Sequence, residues 1–284
     1  LGGTAVIILF GMLDDRLHTE KELQELLTER EIPILGSIPY VMCFNLQGQE
    51  CATVTDPDSV FMSFYERVRS NLSRYTAGSA KVILVTSVHN LEGKSVTAYN
   101  LAIANAVAGK RTLLIEADLR SGSNADWVQL ESETETAIEP LQYYGDRSNV
   151  TRLVPGIPNL YTIPSPGPLR QVAAVIESGE MRRLIENARG NYDAVIIDTS
   201  SFAKSNDALL IEPLTDGIIL VTRPGISQGS VLGDTIDRFA ETEIPILGAV
   251  INDLDHIVPI VDDESLLDIT IPEPTEPAIY ESKN

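Results

Sequence analysis

Short apolar runs of four to six residues alternate with longer stretches of helical spacing along most of the chain. Val82–Val85, Thr112–Ile115, Leu160–Ile163, Ala194–Ile197, Gly217–Val221 and Leu247–Ile251 read as buried strands. Between them helices are predicted from Gly93 to a closing Gly109, near Leu169–Ala188, at Asn206–Glu212 and at Gly229–Ala240. This alternation predicts an α/β fold, a mostly parallel sheet with helices on both faces. Two further helices precede it. Thr19 and Glu22 have capping-box spacing, with Leu23, Leu26 and Leu27 on one stripe before Pro33 ends the helix. From about Ser59 to Arg74, Phe61, Tyr65, Val68 and Leu72 share a face. The segment Phe44–Asp58 reads as a polar connector. Glu-Ile-Pro-Ile-Leu-Gly occurs at both 31–36 and 243–248; with no fixed period, it marks two strand starts rather than a repeat.

The ends of the chain are unlike its middle. Leu1 to Leu13 form an uncharged apolar run, too short to cross a bilayer, which takes about 20 residues. It is either a buried strand or short core helix, or the cytoplasmic end of a truncated transmembrane helix. The lack of a charged leader argues against a signal peptide, and Leu1 in place of Met points to a piece of a longer chain. Hydrophobic residues make up 43% and charged residues 22%, ordinary for a chain with a substantial core, but the formal net charge is −20. Such a chain is repelled by phosphate backbones, so no nucleic-acid partner is expected. The acidity is partly local: Asp253–Asn284 carry nine Asp or Glu, four Pro and one Lys, a composition that favours an extended tail. Cys43 and Cys51 are too few for a disulfide framework and read as reduced thiols, with one disulfide as the alternative.

Three strand ends carry candidate chemistry. After Val82–Val85 comes Thr86-Ser87-Val88-His89-Asn90-Leu91-Glu92-Gly93-Lys94-Ser95, a phosphate-loop sequence between strand and helix. Such a loop needs backbone N–H groups around phosphates, a Lys for the outer phosphate oxygens and a hydroxyl for Mg²⁺; Lys94 and Ser95 supply the last two. The first glycine of G-x-x-x-x-G-K-[ST] falls on Val88, so the formal motif is broken. Leu114-Ile115-Glu116-Ala117-Asp118-Leu119-Arg120 and Val195-Ile196-Ile197-Asp198-Thr199 bring acids to the carboxyl ends of two more strands, as a Mg²⁺–phosphate site requires.

These motifs, in this order, resemble the bacterial tyrosine kinases (BY-kinases) of capsule and exopolysaccharide export. The resemblance runs from about Thr19 to Asp253 and includes Pro33-Ile34-Leu35-Gly36-Ser37-Ile38-Pro39, Tyr192-Asp193, Asp207-Ala208, Asp216-Gly217 and Arg223-Pro224-Gly225. It implies a P-loop NTPase-like domain over 59–253, preceded by a membrane-helix end (1–13) and a juxtamembrane helix and linker (14–58), and followed by an acidic flexible tail (254–284). It implies ATP and Mg²⁺ as cofactors. Glu92, Gly93, Lys94, Ser95, Val96 and Asn252 would hold the nucleotide, with Asn252 near the base. Ser95, Asp118 and Asp198 would serve the metal, and Lys94, Glu116, Asp118 and Asp198 the catalysis. Tyr280 would be the phosphoacceptor, modified by a neighbouring molecule. The implied setting is the cytoplasmic face of the bacterial inner (plasma) membrane. The implied partners are a transmembrane chain-length regulator, on the same or a separate chain, further copies of this chain, and a tyrosine phosphatase as a candidate.

The departures limit what the resemblance carries. Asn90-Leu91-Glu92-Gly93-Lys94 stands where the family has Pro-Gly-Glu-Gly-Lys, and Leu91 is ill suited to positive φ, so a wider or strained loop is expected. Glu116 replaces an Asp, and Ser200-Ser201 replace Pro-Pro. The oligomerisation helix aligns with Ser63, Glu66 and Arg69, losing two of three positions, so weak self-association of the soluble fragment is expected. The leading reading is an ATP-dependent tyrosine autokinase. The alternatives are a catalytically weak or inactive nucleotide-binding scaffold and, third, a partition-type ATPase. The last carries a signature Lys where this chain has His89, a residue expected to face solvent.

Overall fold

The computed structural model describes residues 15–40, 60–124 and 152–257, without the side chains of 40, 60, 152 and 253–257. The apolar opening, the connector, both cysteines and Tyr280 lie outside these residues. One eight-stranded sheet organises the rest, in the order β1-β8-β7-β2-β6-β3-β5-β4. The strands are β1 (Ile34–Tyr40), β2 (Val82–Ser87), β3 (Thr112–Glu116), β4 (Arg152–Leu153), β5 (Leu160–Ile163), β6 (Ala194–Asp198), β7 (Gly217–Thr222) and β8 (Ile246–Ile257). Every pairing is parallel except β4 with β5.

Continuous apolar runs are required because both faces of this sheet are covered. Alternate residues serve opposite cores. Ile83, Val85, Leu114, Ile196 and Ile219 meet α2 (Val60–Tyr75) and α3 (Lys94–Val107) on one face. Val82, Leu84, Leu113, Val195, Ile197 and Ile218 pack on the other against α4 (Val172–Ile176), α5 (Gly179–Asn191) and α6 (Asp207–Ile211). A third cluster joins α1 (Glu20–Glu29) and α7 (Gly229–Ala240) to β7 and β8 through Leu23, Leu27, Leu232, Leu220 and Ile251. The capping box of α1 is formed: Glu22 N donates to Thr19 Oγ1 at 3.2 Å, and Thr19 N donates to the Glu22 carboxylate at 3.3 Å. The expected face of α2, Phe61, Tyr65, Val68 and Leu72, is buried.

Four features differ from expectation. The helix anticipated over Leu169–Ala188 is two helices, because Ser178 adopts an extended conformation and its Oγ accepts the Met181 amide to start α5. The two-residue strand β4 is too short to leave a periodic signature. β1, read with the linker, is hydrogen-bonded along β8, so residues before 58 belong to the sheet. β8 continues to Ile257, past the start drawn for the acidic tail, because Pro39 and Tyr40 of β1 pair with Asp253 and Ile257. The twice-used hexapeptide therefore starts two neighbouring parallel strands. Gly248 in the second copy lies so close to β1 that a Cβ there would sit 2.6 Å from the Pro33 carbonyl oxygen.

No helix among the described residues is long and apolar enough to cross a membrane.

Candidate functional site

The carboxyl ends of β2, β3, β6, β7 and β8 converge on the loop between β2 and α3. Strand register does the placing: Val85 pairs with Asp198, and Asp198 with Glu116, so one strand-length brings three motifs to one edge. Gly93 caps α3 in the left-handed conformation with no side-chain cap. The first amide bonded within the helix is that of Thr97, to the Gly93 carbonyl at 2.9 Å. A helix start leaves the earlier amides, those of Lys94, Ser95 and Val96, without intrahelical acceptors. With the helix dipole they form an anion site.

Leu91 takes φ 68° and is 78% exposed. The loop is thus strained, and surrounding bonds hold it in that shape. Arg223 Nη1 donates to the Leu91 carbonyl at 2.9 Å, Asn252 Nδ2 to the Glu92 carbonyl at 2.6 Å, and Ser201 Oγ to Asn90 Oδ1 at 2.8 Å. Glycine is favoured at 93 by its φ of 90°, and a Cβ there would lie 1.9 Å from Asn252 Nδ2 and displace that brace. Asn252 is thereby a brace of the loop, where the sequence placed it beside a base. Glu92 likewise turns inward. Fully buried, its carboxylate accepts from the His89 amide and from Ser227 Oγ, and burial pushes its pKa up to about 7. Its side chain is a strut within the loop. His89 is half-buried rather than solvent-facing, its Nε2 enclosed without a partner.

Lys94 Nζ lies 3.5 Å from Asp118 Oδ2 and 3.2 Å from Ser95 Oγ. Asp118 also accepts from Ser121 Oγ at 3.1 Å and from the Arg120 amide at 3.2 Å, with Lys204 Nζ 4.0 Å away. Asp198 is buried with neither carboxylate oxygen in a hydrogen bond. Burial raises its pKa to about 7, against the pull of the Lys94 charge and the Ser95 hydroxyl. A buried carboxylate left unpaired beside a lysine and a hydroxyl suits a bound divalent cation. No group of three or more Asp, Glu, His or Cys able to hold a metal exists among the described residues. A cation here would therefore share its coordination with phosphate oxygens, as Mg²⁺ in nucleotide sites does. The uncapped helix, Lys94, Ser95, Asp118 and Asp198 together fit a magnesium nucleotide.

Glu116 does not join them. Tyr99 Oη and Ser123 Oγ donate to its carboxylate, as do the amides of Asn124 at 2.8 Å and Ser165 at 2.7 Å. Both oxygens are committed to fixing the segments after β3 and β5, so its role is structural. Sequence reasoning missed Lys204 and Ser227, which stand in no recognisable pattern. It registered Arg120 and Asp207 only as landmarks, yet Arg120 grips Asp207 through two bonds of 2.7 and 2.8 Å, tying the Asp118 loop to α6.

The fold and this site define a P-loop NTPase-like domain. No family model matches the chain. It is 30% identical over 192 residues to the tyrosine-protein kinase CpsD of Streptococcus pneumoniae serotype 4, a match covering 68% of this chain and 84% of that protein. It is 31% identical over 209 residues to the succinoglycan biosynthesis transport protein ExoP of Rhizobium meliloti, covering 71% of this chain but 26% of that protein. Among solved structures, the kinase domain of Escherichia coli tyrosine kinase ETK superposes with a TM-score of 0.69 at 21% identity, over 82% of this chain and 93% of that one. The chain belongs to the bacterial tyrosine-protein kinase family.

Proposed function

We propose that this domain is an ATP-dependent, Mg²⁺-requiring tyrosine autokinase acting in capsule or exopolysaccharide assembly. The observation that carries it is the unpartnered, buried Asp198 beside Lys94 and Ser95, at the mouth of an uncapped helix, in a chain of this family. Bound magnesium nucleotide supplies the transferable phosphoryl group. Lys94 and the amides of Lys94, Ser95 and Val96 bind and orient its phosphates, and Gly93 allows the backbone close approach. Ser95 Oγ and Asp198 hold the cation. Asp118, oriented by Ser121 and the Arg120 amide, is placed to take the proton of an acceptor hydroxyl at its carboxylate. Tyr280 of a neighbouring molecule is the acceptor, carried by the acidic tail. The working site is the cytoplasmic face of the plasma membrane, beside a transmembrane chain-length regulator, with a tyrosine phosphatase reversing the modification. Phosphotyrosine mapping by mass spectrometry after incubation with ATP and Mg²⁺ tests this reading. Label on Tyr280 in the wild type and none in Lys94→Ala is expected; label retained by Lys94→Ala overturns it.

A second reading, a nucleotide-binding scaffold without turnover, draws support from the strained Leu91 and from the withdrawal of Glu116 into structural bonds. Nucleotide binding by calorimetry with no phosphotyrosine would select it.

A further inference from the structure

We infer that a cleft at the sheet edge opposite the phosphate loop binds an aliphatic primary ammonium group. It opens where α6 and the 3₁₀ turn Glu212–Leu214 meet the end of α7, beside the starts of β7 and β8, and its volume is about 870 Å³. It lies about 20 Å from the loop, the length of a six-residue strand such as β7. That volume is in the range of small-molecule sites, roughly 300–1,000 Å³.

The lining identifies the ligand chemistry. Glu212 lines the cleft, is 2% exposed, and its Oε1 has no hydrogen-bond partner. A buried carboxylate oxygen left unpaired is costly unless a donor reaches it. Glu241 and Glu243 stand exposed at the rim. The carbonyl end of α7 closes there too, adding the negative pole of a twelve-residue helix. Arg238, the one cation among the described residues that line the cleft, stacks on the Phe202 ring at 5.6 Å instead of pairing with these acids. The net field in the cleft therefore favours a cation. The walls are Leu209, Pro213 and Ile244, which suit a methylene stem. An apolar stem with an ammonium head describes both a lysine side chain and a free polyamine. None of these residues touches the nucleotide site, so the inference stands apart from the kinase reading.

Calorimetry on the whole chain at fixed ionic strength, with spermidine and with Nα-acetyl-lysine methylamide, tests it. Saturable one-to-one binding of at least one probe is expected, weakened about tenfold in Glu212→Gln, as a charge-assisted hydrogen bond requires. Glu243→Arg, on the exposed rim, is expected to weaken it comparably while leaving the thermal unfolding midpoint unchanged, which guards against a folding defect at Glu212. The tighter probe identifies the source, free polyamine or polypeptide lysine. Absence of saturable binding by both probes, or affinities unchanged in both variants, overturns the inference.

Discussion

Leu91 offers a test in which stability reverses its usual sign. An L-residue held in the left-handed region costs roughly 1–2 kcal/mol, from which glycine is exempt. Leu91 sits there at φ 68° with 78% of its surface exposed, so its side chain contributes little burial. Leu91→Gly and Leu91→Ala lose the same contacts, but only glycine sheds the strain. Glycine also loosens the unfolded chain, at a cost of about 0.4–1 kcal/mol. The difference leaves Leu91→Gly more stable than Leu91→Ala by about 0.5–1 kcal/mol, whereas glycine at an ordinary helix or strand position is the less stable of the two. For a domain of this size that is a shift of about 1–4 °C in unfolding midpoint. Circular-dichroism melts or urea titrations of the two variants read it directly. Finding Leu91→Ala the more stable would show that the loop takes an ordinary backbone conformation in solution, and the account of a strained loop would be wrong.

Lys94→Ala is expected to abolish magnesium–nucleotide binding by calorimetry, because it removes the phosphate ligand and leaves Asp118 and Asp198 without their shared cation. Burial raises the Glu92 pKa from 4.5 to about 7, so the folded state binds more protons than the unfolded chain between those values. Stability associated with this group is therefore present below pH 4.5 and lost as pH rises to about 7; urea midpoints should fall less over that window in Glu92→Gln than in the wild type. Arg120→Ala leaves the buried Asp207 carboxylate without its guanidinium; because Arg120 is itself about a third exposed, a loss of about 2 kcal/mol is expected in chemical denaturation, less than for a fully buried pair. Light scattering at micromolar concentration should find this chain mainly monomeric, since Ser63 and Glu66, exposed on α2, stand where the resemblance implies an oligomerisation helix with other residues at those positions; a stable many-subunit ring would contradict this.

Much of the framework is legible one strand at a time. A buried parallel strand must be apolar on both faces, so Val82–Val85, Ala194–Ile197 and Gly217–Val221 announce themselves without knowledge of their neighbours. The phosphate-loop lysine and the strand-end acids are legible for a related reason: their positions follow from which end of a strand faces the helix start. Capping at Thr19 and the closing Gly109 are equally local.

What the sequence leaves open is where a side chain turns once its strand has ended. Asp118, Asp198, Glu92 and Glu116 are four acids close to similar apolar runs, and nothing local separates them. Packing does: Glu92 meets Ser227 and the His89 amide, and Glu116 meets Tyr99, Ser123 and two amides, whereas Asp198 is buried with no hydrogen bond to either carboxylate oxygen. The same holds for β1, whose pairing partner lies more than two hundred residues away, and for the end of β8, where charged residues persist as strand because β1 lies alongside. Hydrophobic periodicity is a property of neighbours in the chain and can be read from it. Hydrogen-bond partnership at a strand end belongs to neighbours in space, and only the assembled sheet decides it.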